Sequence, residues 1–269
     1  MHRIFLAPVF FLLAVFLLAS PPANPNIQSS VATTAQDHKT EHPEWSYSGP
    51  NGPDHWVNSY PDCGRKDQSP INITGAQAAP LPEIQFHYQA SPLFIMNNGH
   101  TIQITYPADA PANTISIGGE EYRLVQFHFH QPSEEQVHGH STDMVVHLVH
   151  QRGEGVDLRL AVVAVLLHAG AENSLINTLW QHIPPEVSHE PVKVPGVQIN
   201  AADFLPQGHG YYTYLGSLTT PPCTEIVTWY ILKDQTSVSP QQVQTFKKYY
   251  SNNARPVQPL DDRKVEQSQ

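Results

Sequence analysis

Short apolar runs recur along the chain from about residue 45 onward, and Gly, Pro and Asn residues separate them. Hydrophobic and polar positions alternate in most of these runs, which is typical of strands because successive side chains point to opposite faces. The runs that predict strands are EIQFHYQ, HTIQITYP, NTISIGG, EYRLVQFHFH, MVVHLVHQ, LRLAVVAVLLHA and IVTWYIL.

Helical patterning is scarce in the same region. Two segments combine helical length with an apolar stripe, ENSLINTLWQHI and SPQQVQTFKKYY. The continuous apolar run at residues 160–167 is far too short to cross a membrane, and it predicts a central buried strand. Neither an internal repeat nor a convincing linker follows residue 45. The sequence therefore predicts a single, mainly β domain with peripheral helices over residues 45–269.

The N-terminus has the pattern of a secretory signal peptide. Arg3 precedes an apolar run over residues 4–19, which matches the basic and hydrophobic regions of such a peptide. We assign residues 1–23 to it, with cleavage between 20 and 35, and predict a flexible polar lead-in over residues 24–44. The alternative is a membrane anchor, although the run contains Pro8 and is short for a span of roughly 20 residues. We expect an exported protein, periplasmic or extracellular, with no stable membrane span after cleavage.

Charge and cysteine content narrow the class of protein further. The formal net charge is -10, with 24 acidic and 14 basic residues, and no Lys/Arg-rich run is present that could follow a phosphate backbone. Nucleic-acid binding is therefore not expected. Only Cys63 and Cys223 are present. In an exported chain, an even count without Cys-x-x-Cys spacing favours one structural disulfide, and two unpaired buried thiols are the alternative.

The stretch VQFHFHQPSEE contains a candidate metal site. On a strand, Gln126, His128 and His130 share one face, and Cα atoms about 6.5 to 7 Å apart allow both imidazoles to reach one cation. His147 in MVVHLVH is the better third ligand, since His150 points to the opposite side of its strand. Three neutral ligands leave the full charge on zinc, and the fourth position stays open to water, as in catalytic sites.

Glu134 raises an alternative metal chemistry. His-x-His followed by Glu four residues later is also the core of the cupin motif, in which all these residues bind iron or manganese. The rest of that motif is poor here, because Tyr122 stands where the leading Gly is expected and no Pro-x-Gly precedes His147.

Several sequence segments, with those of the histidines among them, carry a family resemblance. Along the chain they are DQSPINI, NNGHTIQI, FHFHQPSE, HLVH, SLTTPPCTEIVTW and ARPVQPLDDR. In this order they resemble the α-class carbonic anhydrases, and in particular the secreted or periplasmic, bacterial-type members of that family of zinc enzymes. The resemblance runs from about residue 45 to residue 263.

The resemblance implies a fold and a reaction. The fold would be built around a large, mostly antiparallel twisted sheet, with Zn2+ at the floor of a cone-shaped cavity. The reaction would be the reversible hydration of carbon dioxide to bicarbonate and a proton, by attack of zinc-bound hydroxide. Carbon dioxide and bicarbonate would thus be the small-molecule partners, and the resemblance does not indicate an oligomeric state.

The resemblance also assigns roles to residues. Matching motif to motif, the zinc ligands would be His128, His130 and His147. Thr219 would be the gatekeeper hydroxyl, with Glu134 as its acceptor, and His100 would be the proton shuttle. The substrate pocket would contain Val149, Val162, Leu218, Thr220 and Trp229.

The residues around the ligands match the family only in part. Gln126 and the backbone carbonyl of Asn253 would orient His128 and His130, and the resemblance pairs Cys63 with Cys223 in a disulfide. Two positions depart from the family pattern. Many relatives have Glu two residues before the third ligand, where this chain has Val145, and Glu135 replaces a histidine that is common in relatives. His147 therefore requires another acceptor or water for its second ring nitrogen.

A competing function is recognition without catalysis. Some relatives keep this fold, lose zinc ligands and act as binding or adhesion modules. The discriminating feature is the intact trio of histidines together with Thr219 and Glu134, which such relatives usually lack in part. The sequence therefore favours the enzyme.

Overall fold

The computed structural model describes residues 44–269, so the predicted signal peptide and most of the lead-in lie outside the described residues. The strands of this part of the chain are β1 (Asn72–Ile73), β2 (Gln77–Ala78), β3 (Ile84–His87), β4 (Ser91–Asn97), β5 (Ile102–Thr105), β6 (Thr114–Ile117), β7 (Glu120–His130), β8 (Gln136–Val137), β9 (Met144–Arg152), β10 (Arg159–Ala169), β11 (Val192–Ile199), β12 (Tyr211–Gly216), β13 (Val227–Leu232), β14 (Thr236–Val238) and β15 (Glu266–Gln267).

One large mixed sheet organises these strands. Its order is β11-β4-β5-β7-β9-β10-β13-β12-β15-β2, with β14 beside β10 and the β3-β6 pair beside β7. Most neighbours are antiparallel, and the parallel pairs in this sheet are β10 with β13, β10 with β14, and β15 with β2. Strands β1 and β8 form a separate parallel pair. The predicted fold class, mainly β around a large and mostly antiparallel sheet, is confirmed.

The two predicted helices are present, and a third, short helix was not predicted. The α-helices are α1 (Trp56–Ser59), α2 (Ser174–Trp180) and α3 (Pro240–Lys247), and short 3-10 turns occur at Gly49–Asn51, Pro53–His55, Pro61–Gly64, Gly155–Asp157 and Ala201–Phe204. Helix α3 begins with a capping box in which Ser239 and Gln242 satisfy each other's backbone N–H groups. Within residues 44–269, no helix is long and apolar enough to cross a bilayer.

The pleat of the central strands separates two apolar clusters. One face of β7 and β9 contributes Phe127, Phe129, Val146 and Leu148 to the larger cluster, which α2 and α3 cover. The opposite face carries the histidines of the predicted metal site. The second, smaller apolar cluster surrounds them with residues of β9, β10 and β13, among them Val149, Val162 and Trp229. The site thus lies on the face of the sheet that the larger core leaves open.

Each of the seven predicted strand runs contains a strand, but several strands were not predicted. Strand β11 contains Pro195 and Gly196, and its register against β4 shifts between Lys193 and Gln198. Pro and Gly interrupt the alternation on which the prediction depends, and they are tolerated because β11 lies at the edge of the sheet.

The predicted disulfide is formed between Cys63 and Cys223, which are 160 residues apart in sequence. The bond packs against Trp56 and joins the N-terminal part of the described chain to the loop that follows Thr219. A hydrogen bond from Gln68 to the Cys223 carbonyl connects the same two regions. A second bond, from the Arg255 side chain to the Cys63 carbonyl, joins the C-terminal segment to the N-terminal part.

Reduction of this disulfide is expected to lower the melting temperature. On the chain-entropy model, closing a loop of this length stabilises the folded state by up to roughly 5 kcal/mol, and a disulfide usually contributes about 2–4 kcal/mol. For a domain of this size, such a loss corresponds to a fall of roughly 5–15 °C. Calorimetry with and without reductant, with thiol counting to verify reduction, measures the shift. An unchanged melting temperature after complete reduction would refute the expectation.

Candidate metal centre

Three histidines of β7 and β9 converge on the open face of the sheet. His128 lies directly opposite His147 in the antiparallel register, and His130 is two residues further along the same face of β7. One ring nitrogen from each residue lies within 4.8 Å of the other two, and this trio is the group of side chains in residues 44–269 that could hold a metal ion. The structure therefore brings together the three predicted ligands.

A hydrogen bond fixes the tautomer of each imidazole. The Nδ1–H of His128 donates to the Gln126 Oε1 atom at 2.8 Å, and the Nδ1–H of His130 donates to the Asn253 carbonyl at 2.7 Å. The Nε2–H of His147 donates to the Glu135 Oε1 atom at 2.9 Å. Each bond leaves the other ring nitrogen with its lone pair free for a metal, as metal-ligating histidines require.

A buried ring nitrogen without a hydrogen-bond partner indicates that a metal ion fits this site. The Nε2 atom of His130 is buried and has no hydrogen-bond partner within the described part of the chain. A buried polar atom without a partner is costly, and a metal ion would satisfy it. The donor set of three imidazole nitrogens fits zinc.

The protonation states of the trio also suit a cation. Burial, together with the nearby His147, lowers the pKa of His128 to about 3 and that of His130 well below its usual value. Both rings are therefore neutral at physiological pH, the form that binds metal. Burial also acts to lower the pKa of His147, but Glu135 and then Glu134 outweigh it and raise that pKa. The carboxylates thus place negative charge behind one ligand.

Glu134 lies beside the trio but outside the group of candidate ligands. Its Oε1 atom accepts the backbone N–H of Arg255 at 2.7 Å, and its Oε2 atom is 3.9 Å from Nδ1 of His147. Burial raises the pKa of Glu134 to about 7, against opposing effects of the nearby His147 and of the hydrogen bond from the Arg255 backbone. A cation bound by the three histidines would also lower the pKa of Glu134, because positive charge stabilises the carboxylate.

The loop between β12 and β13 places Thr219 at this face. Thr219 is buried, and its side chain approaches Glu134, although the Glu134 Oε2 atom has no partner of ordinary hydrogen-bond geometry among residues 44–269. The loop is held by bonds from the Leu218 backbone to the Thr224 carbonyl and from the Trp229 indole to the Ser217 carbonyl.

Four of the predicted pocket residues belong to one apolar cluster on this face. Trp229 packs edge-on against the His147 ring, with 4.9 Å between ring centroids. Thr220, the fifth predicted pocket residue, is half-buried, and its carbonyl accepts the Cys223 backbone N–H. The four clustered residues are Val149, Val162, Leu218 and Trp229.

His100 lies in the turn between β4 and β5 and is half-buried. Its ring stacks on Trp45, with centroids 3.6 Å apart and planes 9° apart. Burial and the neighbouring His189 lower its pKa. The Asn253 amide donates to the His100 carbonyl at 3.0 Å, while the Asn253 carbonyl holds His130. One asparagine therefore ties the His100 turn to a candidate ligand.

Two residues at this site had no role assigned from the sequence. Glu135 accepts the Nε2–H of His147, and the backbone N–H of Arg255 donates to Glu134. The Arg255 guanidinium is buried and donates to Gln68 and to the carbonyls of Ser69 and Cys63. The segment ARPVQPLDDR contains this arginine, but its contact with Glu134 could not be predicted from the sequence, because almost every residue type has a backbone N–H.

Comparison with known proteins supplies the family. The sequence profile of the eukaryotic-type carbonic anhydrases matches residues 51–269. A carbonic anhydrase of Klebsiella pneumoniae is 41% identical over 226 residues, covering 82% of this chain and 89% of its own length. One from Neisseria gonorrhoeae is 39% identical over 229 residues, covering 83% and 88%. The solved α-carbonic anhydrase of Photobacterium profundum is 36% identical with a TM-score of 0.76, covering 84% of this chain and 100% of its own.

The site and the fold thus define an enzyme of the carbonic anhydrase type. The chain belongs to the eukaryotic-type, or α-class, carbonic anhydrase family, as the sequence motifs predicted.

Proposed function

We propose that this enzyme catalyses the zinc-dependent, reversible hydration of carbon dioxide to bicarbonate and a proton, with His128, His130 and His147 as the metal ligands. The observation that carries the proposal is the trio itself, in which three imidazoles are fixed by hydrogen bonds with their free nitrogens turned toward one another. When bound, zinc would act as a Lewis acid that makes water a nucleophile near neutral pH.

Thr219 and Glu134 would orient that nucleophile. A threonine hydroxyl has one proton to donate and two lone pairs that accept. With its proton directed to the Glu134 carboxylate, Thr219 can only accept from the attacking oxygen, whose own lone pair then faces the substrate. The hydrogen bond from the Arg255 backbone N–H to Glu134 Oε1, 2.7 Å long, holds the carboxylate in place for this contact. Such fixed orientation lowers the barrier by removing entropy before reaction.

The apolar cluster beside the trio would hold carbon dioxide. The molecule has no charge and little hydrogen-bonding capacity, so a wall formed by residues such as Val149, Val162 and Leu218 suits it. Within residues 44–269, the backbone N–H of Thr219 donates to no other backbone group. We assign it to the substrate oxygen.

His100 would accept the proton that each turnover releases. Its lowered pKa favours the neutral ring, which can accept a proton and pass it to buffer. Replacing His100 with alanine is therefore expected to lower kcat in weak buffer by about 100-fold, near the lower end of the usual contribution of proton transfer groups. The value of kcat/KM should change little, because the hydration step itself is intact.

Added imidazole separates this role from a structural one. Steady-state hydration by the His100→Ala variant is measured in dilute and in concentrated imidazole buffer, beside the unaltered protein. Recovery of kcat at high imidazole is the expected result. A parallel fall in kcat/KM that imidazole does not restore would show that the substitution damages the site.

The metal can be tested separately from the reaction. Chelator is expected to remove carbon dioxide hydration, and one equivalent of zinc is expected to restore it, with iron(II) or manganese(II) compared in parallel. Restoration by iron or manganese but not by zinc would contradict the assignment of zinc as the catalytic metal. Stoichiometric zinc binding without hydration would instead favour a recognition module.

We also propose that the protein is exported and acts in the periplasm or outside the cell. The disulfide supports this compartment, since such bonds persist in oxidising surroundings. The basic and apolar pattern of residues 1–23 supports it independently. Mass spectrometry of the exported protein would locate the cleavage site, which we expect between residues 20 and 35. An intact N-terminus would contradict cleavage.

A further inference from the structure

Glu135 occupies an unusual position for a carboxylate. Its side chain is fully buried, and in the described part of the chain the carboxylate forms its hydrogen bond and its ion pair with His147 alone. The Glu135 Oε2 atom is buried and has no hydrogen-bond partner among those residues. Burying a carboxylate with so few partners is costly unless positive charge compensates for it. A cation bound to the other ring nitrogen of His147 would supply such charge.

The contact is made through the side of His147 that faces away from the metal site. Nε2 of His147 donates to Glu135 at 2.9 Å, so Nδ1 is the nitrogen that joins the trio. A carboxylate, an imidazole and a cation in a row form a favourable arrangement, because the carboxylate fixes the ring and increases its basicity as a ligand.

The strand that carries His147 offers no acceptor of its own. Val145 lies on the same face of β9, two residues before His147, and is buried in the apolar cluster of that face. Its side chain cannot accept a hydrogen bond. The acceptor comes instead from the turn after β7, where the Ser133 hydroxyl donates to the Glu135 carbonyl at 2.9 Å and holds the backbone.

We propose that Glu135 is the positioning residue for His147 and that it replaces an acceptor which β9 lacks at Val145. This inference rests on the proposed zinc function. Two consecutive glutamates then have separate tasks, Glu134 toward Thr219 and Glu135 toward His147. The turn after β7 thus controls both the ligand and the orienting hydroxyl.

The first test is zinc affinity, which does not depend on hydration activity. Glu135→Ala is expected to raise the zinc Kd by about 10- to 100-fold, measured by competition with a chromophoric chelator. Glu135→Gln keeps an acceptor oxygen but loses the charge, so a smaller rise is expected. Val146→Ala is the matched control, because Val146 is buried next to His147 but faces the opposite core. It should lower the melting temperature and leave the zinc Kd unchanged.

The second test is rescue from the neighbouring strand. In the double variant Glu135→Ala with Val145→Glu, a carboxylate on the same face of β9 is offered to His147, and partial recovery of zinc affinity is expected. Nuclear magnetic resonance supplies a further readout, since the hydrogen-bonded Nε2–H proton of His147 should shift in Glu135→Ala and not in Val146→Ala. A purely structural role for Glu135 would not produce that shift.

The outcomes separate this inference from the proposed function. A zinc Kd within about threefold of the unaltered value in folded Glu135→Ala would overturn the role of Glu135, whether or not the enzyme hydrates carbon dioxide. Weakened zinc binding in Glu135→Ala, with rescue by Val145→Glu, would support it even if the unaltered protein lacked hydration activity. Absence of zinc binding by the unaltered protein would overturn both.

Discussion

Replacing His130 with alanine is expected to abolish zinc retention and, with it, the hydration of carbon dioxide. His130 is fully buried, and its Nε2 atom has no hydrogen-bond partner among the described residues. The proposed metal ion would be its partner. Two histidines would remain, too few for the three protein ligands of a catalytic zinc site. The loss in zinc affinity should exceed the roughly 10- to 100-fold loss expected when only an orienting partner is removed.

A second buried histidine provides the control for this prediction. His150 lies on β9 beside the site but faces the opposite side, where its ring bonds to the Ala161 carbonyl and the Tyr88 hydroxyl. Burial lowers its pKa to about 4, so it is also a neutral, buried imidazole. His150→Ala should lower stability yet keep one zinc per chain. Equal zinc loss in both variants would show that the effect of His130→Ala is general unfolding.

The second large effect is expected at Thr219. Thr219→Val removes the hydroxyl and keeps the shape of the side chain, so the nucleophile would lose its orienting partner while the metal ligands remain. Loss of one preorganised hydrogen bond at a reacting centre typically lowers kcat by about 10²- to 10³-fold, and we expect kcat/KM to fall by a similar factor. Stopped-flow hydration measures the rate, and chelator competition shows whether zinc affinity is unchanged.

The conservative replacement completes this prediction. Thr219→Ser retains a hydroxyl that can donate to Glu134, and it should recover most of the lost activity. If Thr219→Ser were as slow as Thr219→Val, methyl packing in the loop would explain the effect better than the hydroxyl does. An unchanged rate in Thr219→Val would remove this residue from the proposed mechanism.

The strand pattern was sufficient to predict the trio because a strand has a simple geometry. Alternation places His128 and His130 on one face, and the position of His147 among valines of a second run selects its face. The antiparallel register that brings His128 opposite His147 was not available from either run alone. It depends on the order of strands in the sheet, which the family resemblance implied.

Glu135 could not be assigned from the sequence for a related reason. Its contact with His147 crosses from a turn to a strand, and no periodic pattern relates these two positions. The sequence did show both departures from the family pattern, at Val145 and at Glu135. In the structure Glu135 bonds to His147, and this contact is the basis of the proposal that the change at Glu135 compensates for the change at Val145.

Most of the strands that the sequence pattern did not predict lie toward the two edges of the large sheet. Strand β4 begins with Ser91 and Pro92, and β11 contains a proline and a shifted register. These sequences resemble turns when read locally, and their neighbours in the sheet make them strands. The hydrogen bond from the Arg255 backbone to Glu134 could not be predicted from the sequence either, because every residue except proline has a backbone N–H donor.

Zinc-dependent hydration of carbon dioxide by this chain can be measured by stopped-flow with a pH indicator, using the disulfide-bonded protein loaded with one zinc per chain, beside His128→Ala prepared in the same way. We expect fast hydration by the zinc-loaded protein and its loss in His128→Ala. Hydration no faster than the uncatalysed reaction in the zinc-loaded protein would contradict this expectation.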